Sequence, residues 1–180
     1  MELLRTERLV LREWEASDAG SLIHITSKEH IAYWLPDWGM CAEWVLSWIQ
    51  GAVKQGYCTK NPMEHFMTWA IVLKQSNKLV GMINIGSDEY EKKEVGTGYF
   101  IDMDYENHGY MTEALIAFCD CVFNFWKCKY IAAMVQSENV ASIAVLQKVG
   151  FRYMEDVISC NGGLTEPATQ KMFRLFNPMV

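Results

Sequence analysis

The segment that most constrains this chain is residues 94–113, EVGTGYFIDMDYENHGYMTE. Residues 94–101 read as a β-strand, because Tyr99, Phe100 and Ile101 supply aromatic and β-branched side chains suited to a pleated surface. A polar elbow follows at residues 102–108. Gly109 then opens a helix whose apolar residues Met111, Leu115, Phe118, Val122 and Phe125 recur at intervals of four, three, four and three. A strand, a short turn and a helix leave free backbone N–H groups at the helix N-terminus. Together with the helix dipole, those groups favour an anion. Gly109 lets a phosphate reach the main chain with no Cβ in the way. Gly96-Thr97-Gly98 does not make a dinucleotide fingerprint, since the sixth position is Ile101 and the glycines lie inside the strand.

A second segment, residues 139–151 (NVASIAVLQKVGF), follows a strand at 129–136. Asn139 is an N-cap. Ile143, Leu146 and Val149, with Val145 beside them, form an apolar helix face. Gly150 stands at the C-terminal cap and Phe151 closes it hydrophobically.

These two segments resemble the GNAT superfamily of N-acetyltransferases. Residues 106–111 (ENHGYM) occupy the acyl-CoA pyrophosphate loop pattern Q/R-x-x-G-x-G/A. The ending Gly109-Tyr110-Met111-Thr112-Glu113-Ala114 is similar to the ribosomal-protein N-terminal acetyltransferase (RimJ/RimL-like) branch. The pattern Asn-x-x-Ser-x-x-x-Leu-x-Lys-x-Gly-Phe is unbroken at 139–151, and the opening TERLVLREWEASDA (6–19) is a further match. The chain departs from the branch at Glu106, where Gln or Arg is usual, at Asn107, where Gly is common, and at Met111, where a small residue is common.

The resemblance implies one domain over residues 1–180. Its expected fold is α/β: a mixed, mostly antiparallel twisted sheet of about seven strands, with helices on both faces. It implies transfer of an acetyl group from acetyl-CoA, the co-substrate, to a primary amine on a protein N-terminus or a small molecule. Residues Ile101, Asp102 and Met103 would run beside the pantetheine arm, with one N–H facing the thioester oxygen. His108, Gly109, Tyr110, Met111, Thr112, Glu113 and Ala114 would hold the pyrophosphate. Asn139 would bond the pantetheine and Ser142 would donate to the sulfur. The branch often places a catalytic Glu where this chain has Gly96. Glu94, two residues back on the same strand face, becomes the candidate general base, with Glu64, His65 and Glu91 unranked beside it. Tyr33, Trp34 and Trp38 are candidates for one wall of the acceptor pocket; packing of large rings on the sheet is the alternative.

The remaining segments fit that outline. Residues 6–12 read as a half-buried strand, Ser17-Asp18 starts a helix carrying Leu22, Ile23 and Ile25, and residues 43–53 form a Trp-rich helix. Strands at 66–73 and 79–85 make a hairpin through residues 75–78. Residues 88–94 (DEYEKKE) form a charged loop, read either as a solvated tip or as an acidic rim attracting an amine. Strands at 151–159 and 169–176 flank a turn at 161–163. The formal charge of −6 argues against nucleic-acid binding and weakly favours a cationic substrate. The six cysteines form no CxxC pair, and with no signal sequence after Met1 they read as reduced thiols of a cytoplasmic protein. The four histidines lack metal-ligand spacing, so no metal is expected, and no apolar run is long enough for a membrane. A homodimer is left open. Two other readings also stay open: a non-catalytic acyl-CoA sensor, and an interaction domain built on the Trp-rich region.

Overall fold

The computed structural model describes residues 4–38, 42–55, 61–88, 94–160 and 166–180. Its strands are β1 (Leu4–Arg5), β2 (Leu9–Arg12), β3 (Met67–Leu73), β4 (Leu79–Ser87), β5 (Val95–Ile101), β6 (Tyr130–Gln136), β7 (Arg152–Ser159) and β8 (Ala168–Phe176). They form one sheet in the order β1-β2-β3-β4-β5-β6-β8-β7, antiparallel throughout except between β5 and β6. This is the mixed, mostly antiparallel sheet expected, with the two-residue β1 as an eighth strand. The helices are α1 (Ala19–Thr26), α2 (Glu29–Trp34), α3 (Ala42–Gln55), α4 (Tyr110–Trp126) and α5 (Val140–Val149).

Strand alternation sorts the helices onto two faces. On β3, Thr68 accepts the indole N–H of Trp14 at 2.8 Å while the next residue, Trp69, packs on Phe118 of α4 with ring centres 5.2 Å apart. On β5, Tyr99 reaches Ser142 of α5 while Phe100 meets Trp38 at 5.4 Å. The even-numbered residues of β4 and β5 therefore face α1–α3, and the odd-numbered ones face α4 and α5. The core lies on both sides, with Leu22, Ile25, Val45 and Ile49 under one layer and Leu115, Phe118 and Val122 under the other.

β2 corrects one expectation. All four of its residues are buried, including Arg12. The Arg12 guanidinium meets the buried Asp18 carboxylate in two bonds, 2.7 and 2.8 Å, and Asp18 also accepts the Glu15 N–H at 2.9 Å. A paired charge can occupy an interior position that an unpaired one cannot. Asp18 also closes the 310 turn that precedes α1, so the helix itself begins one residue later than expected, at Ala19.

The junction of β5 and β6 creates the site. β5 pairs with β4 along its full length, from Gly81↔Ile101 to Ser87↔Val95. β6 pairs with β8 from Tyr130↔Phe176 to Gln136↔Gln170. Between themselves β5 and β6 share only Val95↔Ile131 and Gly96↔Ala132, and then diverge. Among the described residues, Cys119 and Cys128 are buried free thiols, Cys121 is a half-buried one and Cys160 an exposed one. Cys41, Cys58, Glu91 and the turn at 161–163 lie outside the described residues.

Candidate active site

The diverging strands, the N-terminus of α4, the N-terminus of α5 and the inner side of α2 open onto one cavity of about 530 Å3. At its α4 end the chain passes through two left-handed residues, Asn107 at φ 60° and Gly109 at φ 76°. Asn tolerates that region better than most residues other than Gly. This explains how Asn107 stands where a glycine is common. Gly109 caps α4 with no side chain, and the Glu113 N–H already donates to the Gly109 carbonyl at 3.0 Å. The first-turn donors without an intrahelical acceptor are then the N–H groups of Tyr110, Met111 and Thr112.

Glu113 does something the sequence pattern did not assign. Its carboxylate accepts from Thr6 Oγ1 at 2.6 Å, the Arg8 N–H at 2.9 Å and Arg8 Nε at 2.7 Å. Arg8 also donates to the His108 carbonyl at 2.9 Å and lies 4.6 Å over the Tyr110 ring. Burial alone would raise the Glu113 pKa, but these hydrogen bonds outweigh it and hold the pKa below the usual value. Glu113 thus ties the α4 entry to the N-terminal hairpin. Of the seven residues expected to hold the pyrophosphate, Gly109, Tyr110, Met111 and Thr112 line the cavity and His108, Glu113 and Ala114 do not. Ala114 is packed in the core, and the exposed His108 stacks on Tyr110 and donates from Nδ1 to the Glu106 carbonyl at 2.6 Å.

Ile101 lines the cavity, and its carbonyl accepts from His30 Nε2 of α2 at 3.1 Å. Asp102 and Met103 do not line it, because the chain leaves the strand edge there in a 310 turn, Met103–Tyr105. Asp102 is buried, donates its N–H to the Val80 carbonyl at 2.7 Å and bonds the Lys28 ammonium. Lys28 also donates to Asp104 at 2.8 Å. Burial would lower the Lys28 pKa, but the bonds to both carboxylates raise it overall. His24, Asp102 and Asp104 come within 4.8 Å of one another, a cluster that no spacing in the sequence announces, and the Lys28 ammonium is bonded to both of its carboxylates.

At α5, Asn139 Oδ1 accepts the Ser142 N–H at 3.0 Å, the N-cap expected, which leaves the Asn139 side-chain nitrogen as its remaining donor. Both residues line the cavity. Ser142 Oγ lies 3.0 Å from the Tyr99 hydroxyl, which also donates to the Ser142 carbonyl at 3.2 Å. Burial raises the Tyr99 pKa and keeps the phenol protonated. Tyr99 entered the sequence argument only as a strand former. Its odd position on β5 is the signal that would have sent it to α5.

Glu94 lies at the closed end of the splay. Its carboxylate accepts the Lys129 N–H at 3.1 Å and is not part of the cavity wall. Glu64 and His65 are exposed outside the wall, with Glu64 bonded to Asn61 Nδ2 at 3.0 Å. None of the three described candidates for a general base therefore faces the cavity. Trp34 and Trp38 do line it, whereas Tyr33 is 67% exposed and packs edge-on against Trp34 outside it. Trp38 also packs against Trp44 and Trp48, so ring packing and cavity wall are one cluster. Among the described residues, no helix is long and apolar enough to cross a membrane.

Comparison with known proteins agrees with this architecture. The uncharacterized N-acetyltransferase YnaD of Bacillus subtilis (strain 168) is 26% identical over 153 residues, covering 83% of this chain and 82% of its own. The ribosomal-protein-S5-alanine acetyltransferase of Vibrio fischeri has the same fold, with a TM-score of 0.79 at 18% identity over 99% of this chain and 98% of that one. RimJ of Mycobacterium smegmatis, solved in complex with CoA-disulfide, superposes with a TM-score of 0.76 at 22% identity over 96% and 83% of the two chains. The sequence model described as "Acetyltransferase (GNAT) domain" matches residues 8–152, so the chain belongs to the GNAT acetyltransferase family.

Proposed function

We propose that this acetyltransferase uses acetyl-CoA as donor and carries the acetyl group directly to a primary amine, on a protein N-terminus or a small molecule. One observation carries the reading: the β5–β6 splay, the uncapped α4 N-terminus and the Asn139–Ser142 corner open onto one continuous cavity. The residues fit the cofactor. The N–H groups of Tyr110, Met111 and Thr112 offer an anion site approached past a glycine. The edges of β5 and β6 that face each other offer main-chain partners to an extended amide-bearing arm, as in strand addition. The CoA compound held by the Mycobacterium smegmatis neighbour supports the cofactor, and the Vibrio fischeri neighbour, a ribosomal-protein-S5-alanine acetyltransferase, supports a protein acceptor.

Bound acetyl-CoA supplies the activated thioester. The protein's own work is placement and proton handling. In this reading Asn139 Nδ2 steadies the arm, and Ser142 Oγ donates a hydrogen bond toward the departing sulfur. Tyr99 is protonated and has a single O–H: turned from the Ser142 carbonyl to Ser142 Oγ, it holds that rotamer and leaves the serine proton for the sulfur. Acetyl-CoA should release free thiol when the protein meets a panel of primary amines that includes short peptides with free N-termini. Gly109→Trp should weaken CoA binding at least a hundredfold; undiminished affinity would contradict the phosphate site. A second reading, a CoA-binding module without turnover, is favoured by Gly96, which lacks the carboxylate common in the branch. Tight CoA binding with no thiol release on any amine would select it.

A further inference from the structure

Asn84, in the middle of β4, uses one end of its side chain inside the sheet. Its Oδ1 accepts the Gly98 N–H at 2.8 Å, while its main-chain carbonyl accepts the Thr97 hydroxyl at 2.7 Å. An N–H must meet the oxygen, so the Gly98 bond decides which end of the amide is which. Nδ2 then lies over β5, 3.0 Å from where a Cβ on Gly98 would stand. The glycine leaves that space to the amide. Among the described residues no acceptor meets Nδ2, and the half-buried side chain lines the cavity. We propose that Asn84 Nδ2 selects the acceptor by an oxygen on the carbon next to the amine-bearing carbon, the N–C–C–O unit that a peptide N-terminus shares with a vicinal amino alcohol. This rests on the acetyl-transfer reading above and deepens it.

Three observations converge. Asn84 and Gly98 are cross-strand partners on the even-numbered face, the face of α2. Tyr99 and Ser142 lie on the opposite side of the sheet, so a molecule held by Asn84 approaches the splay away from the group that serves the sulfur. The Asn84 amide is also fixed in advance, since its oxygen is anchored to β5 whether or not a ligand is present. A donor that is already oriented loses little freedom on binding. Gln136, another amide on this wall, already donates to the Trp34 carbonyl at 3.2 Å.

The selection follows from what each amine does to Nδ2. The recess beside Asn84 is walled by Trp34 and Trp38. A simple alkylamine entering it strips water from Nδ2 and offers nothing in return, which leaves a buried donor unsatisfied. An oxygen one carbon beyond the amine-bearing carbon takes that hydrogen bond. It sits close enough to the nitrogen for Asn84 to hold it while the amine remains open to the thioester.

The test titrates the CoA-saturated protein at neutral pH with leucinamide, leucinol and isoamylamine, which share one side chain and differ in the oxygen. Leucinamide or leucinol should bind about tenfold or more tightly than isoamylamine. A preference shared by both marks any vicinal oxygen; one confined to leucinamide marks a peptide-type carbonyl, and one confined to leucinol an amino alcohol. Each of these supports the assignment. The preference should vanish in Asn84→Ala and in Asn84→Asp, with CoA affinity unchanged. Asn84→Asp keeps an oxygen for the Gly98 N–H and removes only the donor, so a merely structural role would leave its preference intact. Equal binding of the three probes, binding of none, or a preference retained in Asn84→Asp overturns the assignment. Should Asn84→Ala fail to fold or lose CoA, Asn84→Asp decides alone. A protein that binds no CoA at all removes the acetyl-transfer reading itself. CoA binding with no preference among the probes removes only the role of Asn84.

Discussion

Ser142 has two functions that one substitution separates. Its N–H satisfies the Asn139 cap and its Oγ meets Tyr99. Ser142→Ala keeps the first and removes the second. Turnover should fall about a hundredfold, the scale of a lost proton donor, with CoA affinity and melting temperature nearly unchanged; an unchanged rate would take Ser142 out of the chemistry. Glu113 makes a prediction in pH. Its folded pKa lies below its unfolded value, so its stabilisation is fully present above the ordinary carboxylate range and disappears as pH falls through the folded pKa. Glu113→Gln should cost about 1–3 kcal/mol at pH 7 and flatten that acid loss, measured by urea unfolding between pH 7 and 3. Asn139 and Ser142 were legible because capping is chemistry between neighbours. The Glu113–Arg8 bond was not, because 105 residues separate the pair and no local pattern records it.

At the scale of elements, the entry to α4 depends on backbone conformation more than on side-chain identity. Asn107 sits at φ 60°, so Asn107→Gly should leave stability and CoA binding nearly unchanged, while Asn107→Val should cost about 1–2 kcal/mol and loosen the anion site. Equal effects of the two, read by thermal melts and CoA titration, would show that the left-handed turn is not what matters. The strand and helix periods of β5, α4 and α5 were readable because each buries a regular face. β2 was misjudged because a buried Arg12 breaks the alternation rule, and only Asp18, six residues on in another element, makes that burial tolerable. The register of β4 against β5 was equally hidden. Gly81 exists there because a Cβ would stand 2.4 Å from the Phe100 carbonyl oxygen.

For the whole molecule, the decisive feature is how weakly the two halves of the sheet are joined along their shared edge. β1–β5 and β6–β8 meet through only two residue pairs, and the rest of the seam is cavity. No periodicity in a sequence reports that two strands part, since each strand keeps its own alternation whether or not it has a neighbour. A cofactor lying in the splay would contact both halves at once, with β5 and α4 on one side and β6 and α5 on the other. It binds the folded state alone, so at a concentration of 100 times Kd it should add about 2.7 kcal/mol. For a chain of this size that corresponds to a rise of about 5–11 °C in melting temperature. The gain should be local as well as global. Amide hydrogen exchange should slow most at residues 97–101 and 133–136, where the strands have no mutual pairing, and little in β1 or β7. Protection spread evenly over the sheet, or a melting point that ignores acetyl-CoA, would mean that the arm does not lie between β5 and β6.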